Sequence, residues 1–235
     1  MHEKAELYIG ALICSLAFIF LCGKQMRLPK IWSGEESATA FLKSISFSKH
    51  SIFAEQLYQN RFTMISKKLE KALNAQIKLE TEASFNYLSM ASWCEQKSLN
   101  GAANFFYAQA EEERQHMLKI FRFINEVEGH ALAPGVEQPK TQFESILDVC
   151  KKALVGEQKV TKAVHKLSEL ASEEKDYATY NFIQFFVDDQ REGETVLIHI
   201  IDKIKLIGLE GMGLYYIDKE MESLAGAKED AGEKK

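Results

Sequence analysis

Proline is scarce in this chain: three among 235 residues. Proline interrupts helices, so its near absence favours long uninterrupted helices over a loop-rich or all-β chain. Cysteine is equally sparse. Cys14, Cys22, Cys94 and Cys150 form no C-x-x-C pair and no disulfide ladder. The simplest reading is reduced thiols in a reducing compartment, with no Cys-bound metal ribbon. A basic excess is lacking too. The formal charge is −5, and residues 1–63 carry seven Lys+Arg against five Asp+Glu, which leaves −7 for residues 64–235. An acidic body of that kind suits metal cations and argues against nucleic acid as a partner. What is present, 46% hydrophobic and 27% charged residues, is the composition of an ordinary globular chain.

The first 63 residues stand apart. "LYIGALICSLAFIFLC", Leu7–Cys22, is sixteen residues without a charge. That is short of the roughly 20 apolar residues a membrane span needs, and close to the apolar part of a signal peptide. It is apolar all round, unlike a core helix with one apolar stripe. Gly23 to Thr63 is rich in serine and lysine without periodicity and reads as linker. Residues 1–63 therefore stand as a targeting segment, a membrane anchor or a mis-called start ahead of Met64, and membrane contact is expected only through residues 7–22. The remainder, 64–235, reads as one domain. Its expected place is the cytoplasm, unless the apolar segment redirects or anchors it.

From Met64 the pattern is helical. Leu73, Ile77, Glu80, Ser84, Tyr87, Ala91 and Cys94 recur at steps of three and four along one face. After "SLNG" a second stripe runs through Ala102, Phe106, Ala110, Glu113, Met117, Ile120, Ile124 and Val127, closed by Gly129 and Pro134. Thr141 and Glu144 have the spacing of a capping box for a third helix. Its stripe is Ile146, Cys150, Ala153, Glu157, Val160, Val164, Leu167 and Ala171. A fourth helix begins near Asp176 and shows Ile183, Phe186, Gln190, Gly193, Leu197, Ile200 and Ile204 before Gly208. A short fifth helix is expected over about Leu214 to Leu224. The fold class is all-α, a four-helix bundle with a small helix appended.

Each long stripe contains a carboxylate or carboxamide where an apolar residue belongs: Glu80, Glu113, Glu157 and Gln190. Glu80 to Glu113 is 33 residues, and Glu157 to Gln190 is again 33. A buried unpaired carboxylate costs several kcal/mol, so such groups are hydrogen-bonded, paired or metal-bound. Three carboxylates do not neutralise one another; they call for cations. His116 follows Glu113 by three residues and so shares its face. This is half of the di-metal carboxylate pattern, in which two helices give a Glu each and two give Glu-x-x-His. The second half is partial, with Gln190 and Gly193 in place of the other Glu-x-x-His. Taken singly, an E-x-x-H on a helix is weak evidence, Tyr87 reads as a core tyrosine, and Glu111 and Glu112 read as a solvated acidic face.

At "LETEASFNYLSMASWC", "EEERQHM", "DYATYNFIQFFV" and "GLYYIDKEM" the chain resembles the ferritins, above all the non-haem bacterial type, over nearly all of residues 64–226. The resemblance implies an iron-storage protein that oxidises Fe(II) to Fe(III) with dioxygen or peroxide at a dinuclear centre. It further implies that the ferric mineral is kept inside a hollow shell of 24 identical subunits. Glu80, Glu113 and His116 would hold one iron, with Glu113 bridging. Glu157 would help bind the second, beside Gln190, and Tyr87 would supply an electron. Glu112, Asp189 and Glu192 fall on a third iron position. Gly193 departs from the glutamate common there in bacterial ferritins, which should weaken the second and third positions. No haem is expected, because Arg114 stands where haem-binding relatives have their methionine ligand. Two other readings stay open: a rubrerythrin-like di-iron oxidase or peroxidase without storage, and a catalytically weakened shell subunit.

Overall fold

The computed structural model describes residues 64–232, helices joined by short turns and one long irregular connection. The expectations for the apolar run Leu7–Cys22 and for the linker after it lie outside the described residues. Among the described residues no helix is long and apolar enough to cross a membrane.

The four long helices are α1, Lys67–Gln96, α2, Asn100–Glu126, α3, Ile146–Glu173, and α4, Tyr177–Ile207; α5, Met212–Gly232, follows. Three-residue breaks join α1 to α2 and α3 to α4, so each pair is an antiparallel hairpin. Residues 127–145 cross from one hairpin to the other, and α1 packs on α3 while α5 packs on α2 and α4. The expected stripes are the buried faces, with Met117 only half-buried and Gly193 partly open.

The core falls into two apolar clusters along the bundle. One holds Leu73, Ile77, Ile120, Ile124, Val160, Val164 and Ile183. The other holds Tyr87, Ala91, Phe106, Ala110, Ala153, Leu197 and Ile200. The four polar stripe residues occupy the level between them, all buried. Apolar packing above and below thus supplies the hydrophobic stabilisation that lets the middle layer stay polar.

The helix ends differ from the sequence expectation in three places. Thr141 and Glu144 do not cap α3. Ser145 does: its hydroxyl accepts the Asp148 N–H at 3.2 Å, and the Asp148 carboxylate accepts the Glu144 N–H at 3.2 Å. The cap is thus four residues further on, with Asp148 reaching back to the residue before it, because Ser145 directly precedes the first buried residue of the helix, Ile146. At the end of α2 the left-handed residue is Glu128, φ 59°, not Gly129. Gly129 donates to the Ile124 carbonyl at 2.8 Å. It is glycine because a Cβ would lie 2.9 Å from the Ile124 side chain. Finally, α5 starts at Met212 and extends to Gly232, beyond the expected 214–224, and remains the shortest helix at 21 residues.

Helix α2 lacks a side-chain cap of its own. Asp218 of α5 supplies it, accepting the Ala102 N–H at 2.9 Å. The approach is close enough that a Cβ on Gly101 would stand 2.0 Å from the Asp218 carbonyl oxygen. No residue with a side chain fits there without moving α5.

Candidate metal centre

Glu80 comes from α1 and Glu113 and His116 from α2; their ligand atoms lie within 4.8 Å of one another. All three are buried, at 1%, 3% and 7% exposure. Glu80 is oriented by Gln76, whose amide Nε2 donates to Glu80 Oε1 at 2.8 Å. The other oxygen, Glu80 Oε2, is buried with no donor among the described residues. His116 presents Nδ1 to Glu113 Oε2 at 3.3 Å and Nε2 to Asp189 Oδ2 at 3.4 Å. A proton on Nε2, held by Asp189, leaves the Nδ1 lone pair facing Glu113 and available to a cation. The ring is clamped edge-on by Phe185 and Phe186, with centroids 5.9 and 5.5 Å away.

The other half of the bundle brings Glu157 of α3 to the same level. One of its oxygens accepts from the Tyr87 hydroxyl and the other from Gln190 Nε2 at 2.5 Å. Tyr87 also stacks on Phe106, with centroids 5.9 Å apart. Gln190 Oε1, like Glu80 Oε2, is buried and without a donor among the described residues. Gly193 lies beside this half: a Cβ there would sit 3.8 Å from Glu157 Oε2.

Burial pushes the Glu80 carboxyl well above its ordinary value of 4.5, and the facing Glu113 pushes it further. Burial raises Glu113 in the same way, with Glu157 adding to it. The Tyr87 hydroxyl is raised well above 10.0 by burial and by Glu157. Each shift marks a site short of positive charge. A divalent cation removes the repulsion and gives the bare oxygens a partner. Carboxylate oxygens with one imidazole are the donor set that iron and its first-row neighbours accept. The residues present therefore fit a metal ion.

A second group joins His116 with half-buried Glu112 and Asp189. Gln109 donates to Glu112 Oε2 at 3.2 Å. Glu192 is exposed and lies outside both groups. Glu111 is exposed and paired with Arg114 at 2.7 Å, a solvated acidic face as its position suggests. Of the three buried glutamines described, the sequence reading found Gln190 and missed Gln76 and Gln109. Each precedes a stripe glutamate by four residues, and they too are 33 residues apart, a signal available in the sequence.

Comparison with known proteins gives a consistent answer. Residues 70–207 match the Ferritin-like domain family. The chain is 44% identical over 162 residues to a bacterial non-heme ferritin of Campylobacter jejuni, covering 69% of this chain and 97% of that one. It is 42% identical over 158 residues to a bacterial non-heme ferritin of Staphylococcus aureus, covering 67% and 95%. Among solved structures, an open pore ferritin from the archaeon Archaeoglobus fulgidus aligns with a TM-score of 0.66 at 38% identity, covering 68% of this chain and 98% of that one.

Proposed function

The chain belongs to the ferritin family, and from that premise we propose that it stores iron, oxidising Fe(II) to Fe(III) with dioxygen at a dinuclear centre in its bundle. The observation that carries this reading is the buried Glu80 oxygen without a donor among the described residues, gathered with Glu113 and His116 in a polar layer between two apolar clusters. Glu80, Glu113 and His116 hold one ferrous ion. Glu113 reaches the second, which Glu157 binds beside Gln190. Each ferrous ion gives up one electron. Dioxygen takes both, with two protons, and leaves as hydrogen peroxide. Where only one ferrous ion is bound, Tyr87, hydrogen-bonded to Glu157, is the proposed source of the second electron that dioxygen needs, losing its proton as it gives it. Ferric product then passes from the centre into the cavity of a shell of 24 copies.

On the same reading residues 64–235 are the iron-handling domain, working in the cytoplasm, and residues 1–63 are an extension to it. Glu112, Asp189 and Glu192 are the candidates for a third iron. Gly193 favours a second reading, a shell subunit with a weakened second position, because it sets no ligand beside Glu157.

Glu113→Ala tests the proposal, since it removes the only carboxylate assigned to both ions. Second-sphere losses at metal sites cost roughly 10- to 100-fold. Loss of the bridge should slow the initial ferrous oxidation rate at least about 100-fold. An unchanged rate would place oxidation elsewhere on the protein.

A further inference from the structure

Between α1 and α3 lies an open groove of about 700 Å³, the size of a small-molecule site. Its floor includes Tyr87 and Glu157, and its walls are largely apolar, with Leu79, Met90, Phe143 and Val155. Five lysines line it against the single carboxylate of Glu157. Lys152 is engaged by Asp148 and Lys159 by Glu82. Lys162 and Lys166 are exposed and form no ion pair among the described residues.

Gly156 supplies an independent sign that the groove is kept open. It sits mid-way along the 28-residue α3, where glycine is worth about 1 kcal/mol less than alanine. No close approach among the described residues requires it, since a Cβ there would meet nothing within 4 Å. Its place is on the groove wall, and a large side chain there would extend into the groove.

We propose that this groove is a binding site for a small organic anion with a flat apolar body. The apolar walls cover the body, and Lys162 and Lys166 hold the acidic group at the mouth. Because Tyr87 and Glu157 form the floor, an occupant touches the edge of the metal centre from outside the bundle.

The test uses the metal-free full-length protein, so that its outcome is separate from any result on iron oxidation. The probe is 8-anilinonaphthalene-1-sulfonate, followed by fluorescence titration. The expected result is about one probe per subunit, with affinity falling as salt rises. Gly156→Phe should weaken binding at least about tenfold by filling the groove. The double change Lys162→Glu with Lys166→Glu, both exposed and safe for folding, should weaken it several-fold. Leu206→Glu, at an exposed apolar residue outside the groove, should leave it unchanged. Equal binding by the parent, the glycine variant and the double lysine variant would overturn the proposal. So would binding lost only with Leu206→Glu.

Discussion

Glu80 offers one oxygen to the Gln76 amide and keeps the other bare, and this asymmetry has measurable consequences. Its carboxyl is raised above the ordinary 4.5, so in the metal-free protein it favours the protonated form. A group raised on folding contributes stability below its unfolded pKa and loses it as pH climbs through the folded value. Glu80→Gln removes that loss. The metal-free variant should therefore melt above the parent at pH 7, with the gap narrowing toward pH 4.5. Thermal melts at the two pH values check it, and a variant that melts lower at pH 7 would contradict the assigned shift. Gln76 itself acts by orienting Glu80. Gln76→Ala should weaken anaerobic ferrous binding about tenfold, as outer partners of metal ligands do. Unaltered binding would reduce Gln76 to packing. Both glutamines fall outside the apolar stripes, so only their 33-residue interval, matching that of Glu80 and Glu113, marked them in the sequence.

Helices were legible because the alternation of apolar residues at three and four is what a helix buried on one side requires. Leu73, Ile77, Ile120 and Val164 are buried where that rule puts them. Helix ends were less legible, because several residues near each end could serve as cap. Ser145 outcompetes Thr141 by standing next to Ile146, and Glu128 takes the left-handed position although Gly129 adjoins it. The cap on α2 could not be read locally, since Asp218 is 116 residues away. That contact makes a prediction at this scale. Gly101→Ala should destabilise the protein by about 1–3 kcal/mol, the cost of overpacking, because α5 must retreat from its backbone contact. Denaturant unfolding measures it, and a neutral change would mean that α5 is not held against α2.

At the scale of the whole molecule, two apolar clusters enclose a polar layer, and the 33-residue interval repeats in both hairpins. This symmetry singled out Glu80, Glu113, Glu157 and Gln190 in the sequence, and all four are buried. It is incomplete at Gly193, which brings no side chain beside Glu157. The groove over Glu157 and the assembly of subunits were not legible, since both depend on surfaces that composition and periodicity do not describe.

The most direct measurement is anaerobic titration with ferrous iron, followed by oxygen and gel filtration, counting iron bound and iron retained per subunit. The account predicts two tightly bound ferrous ions per subunit, rapid oxidation, and a large assembly that elutes with far more iron than its ligand sites can hold. One ferrous ion or none, with no iron retained after filtration, would contradict it.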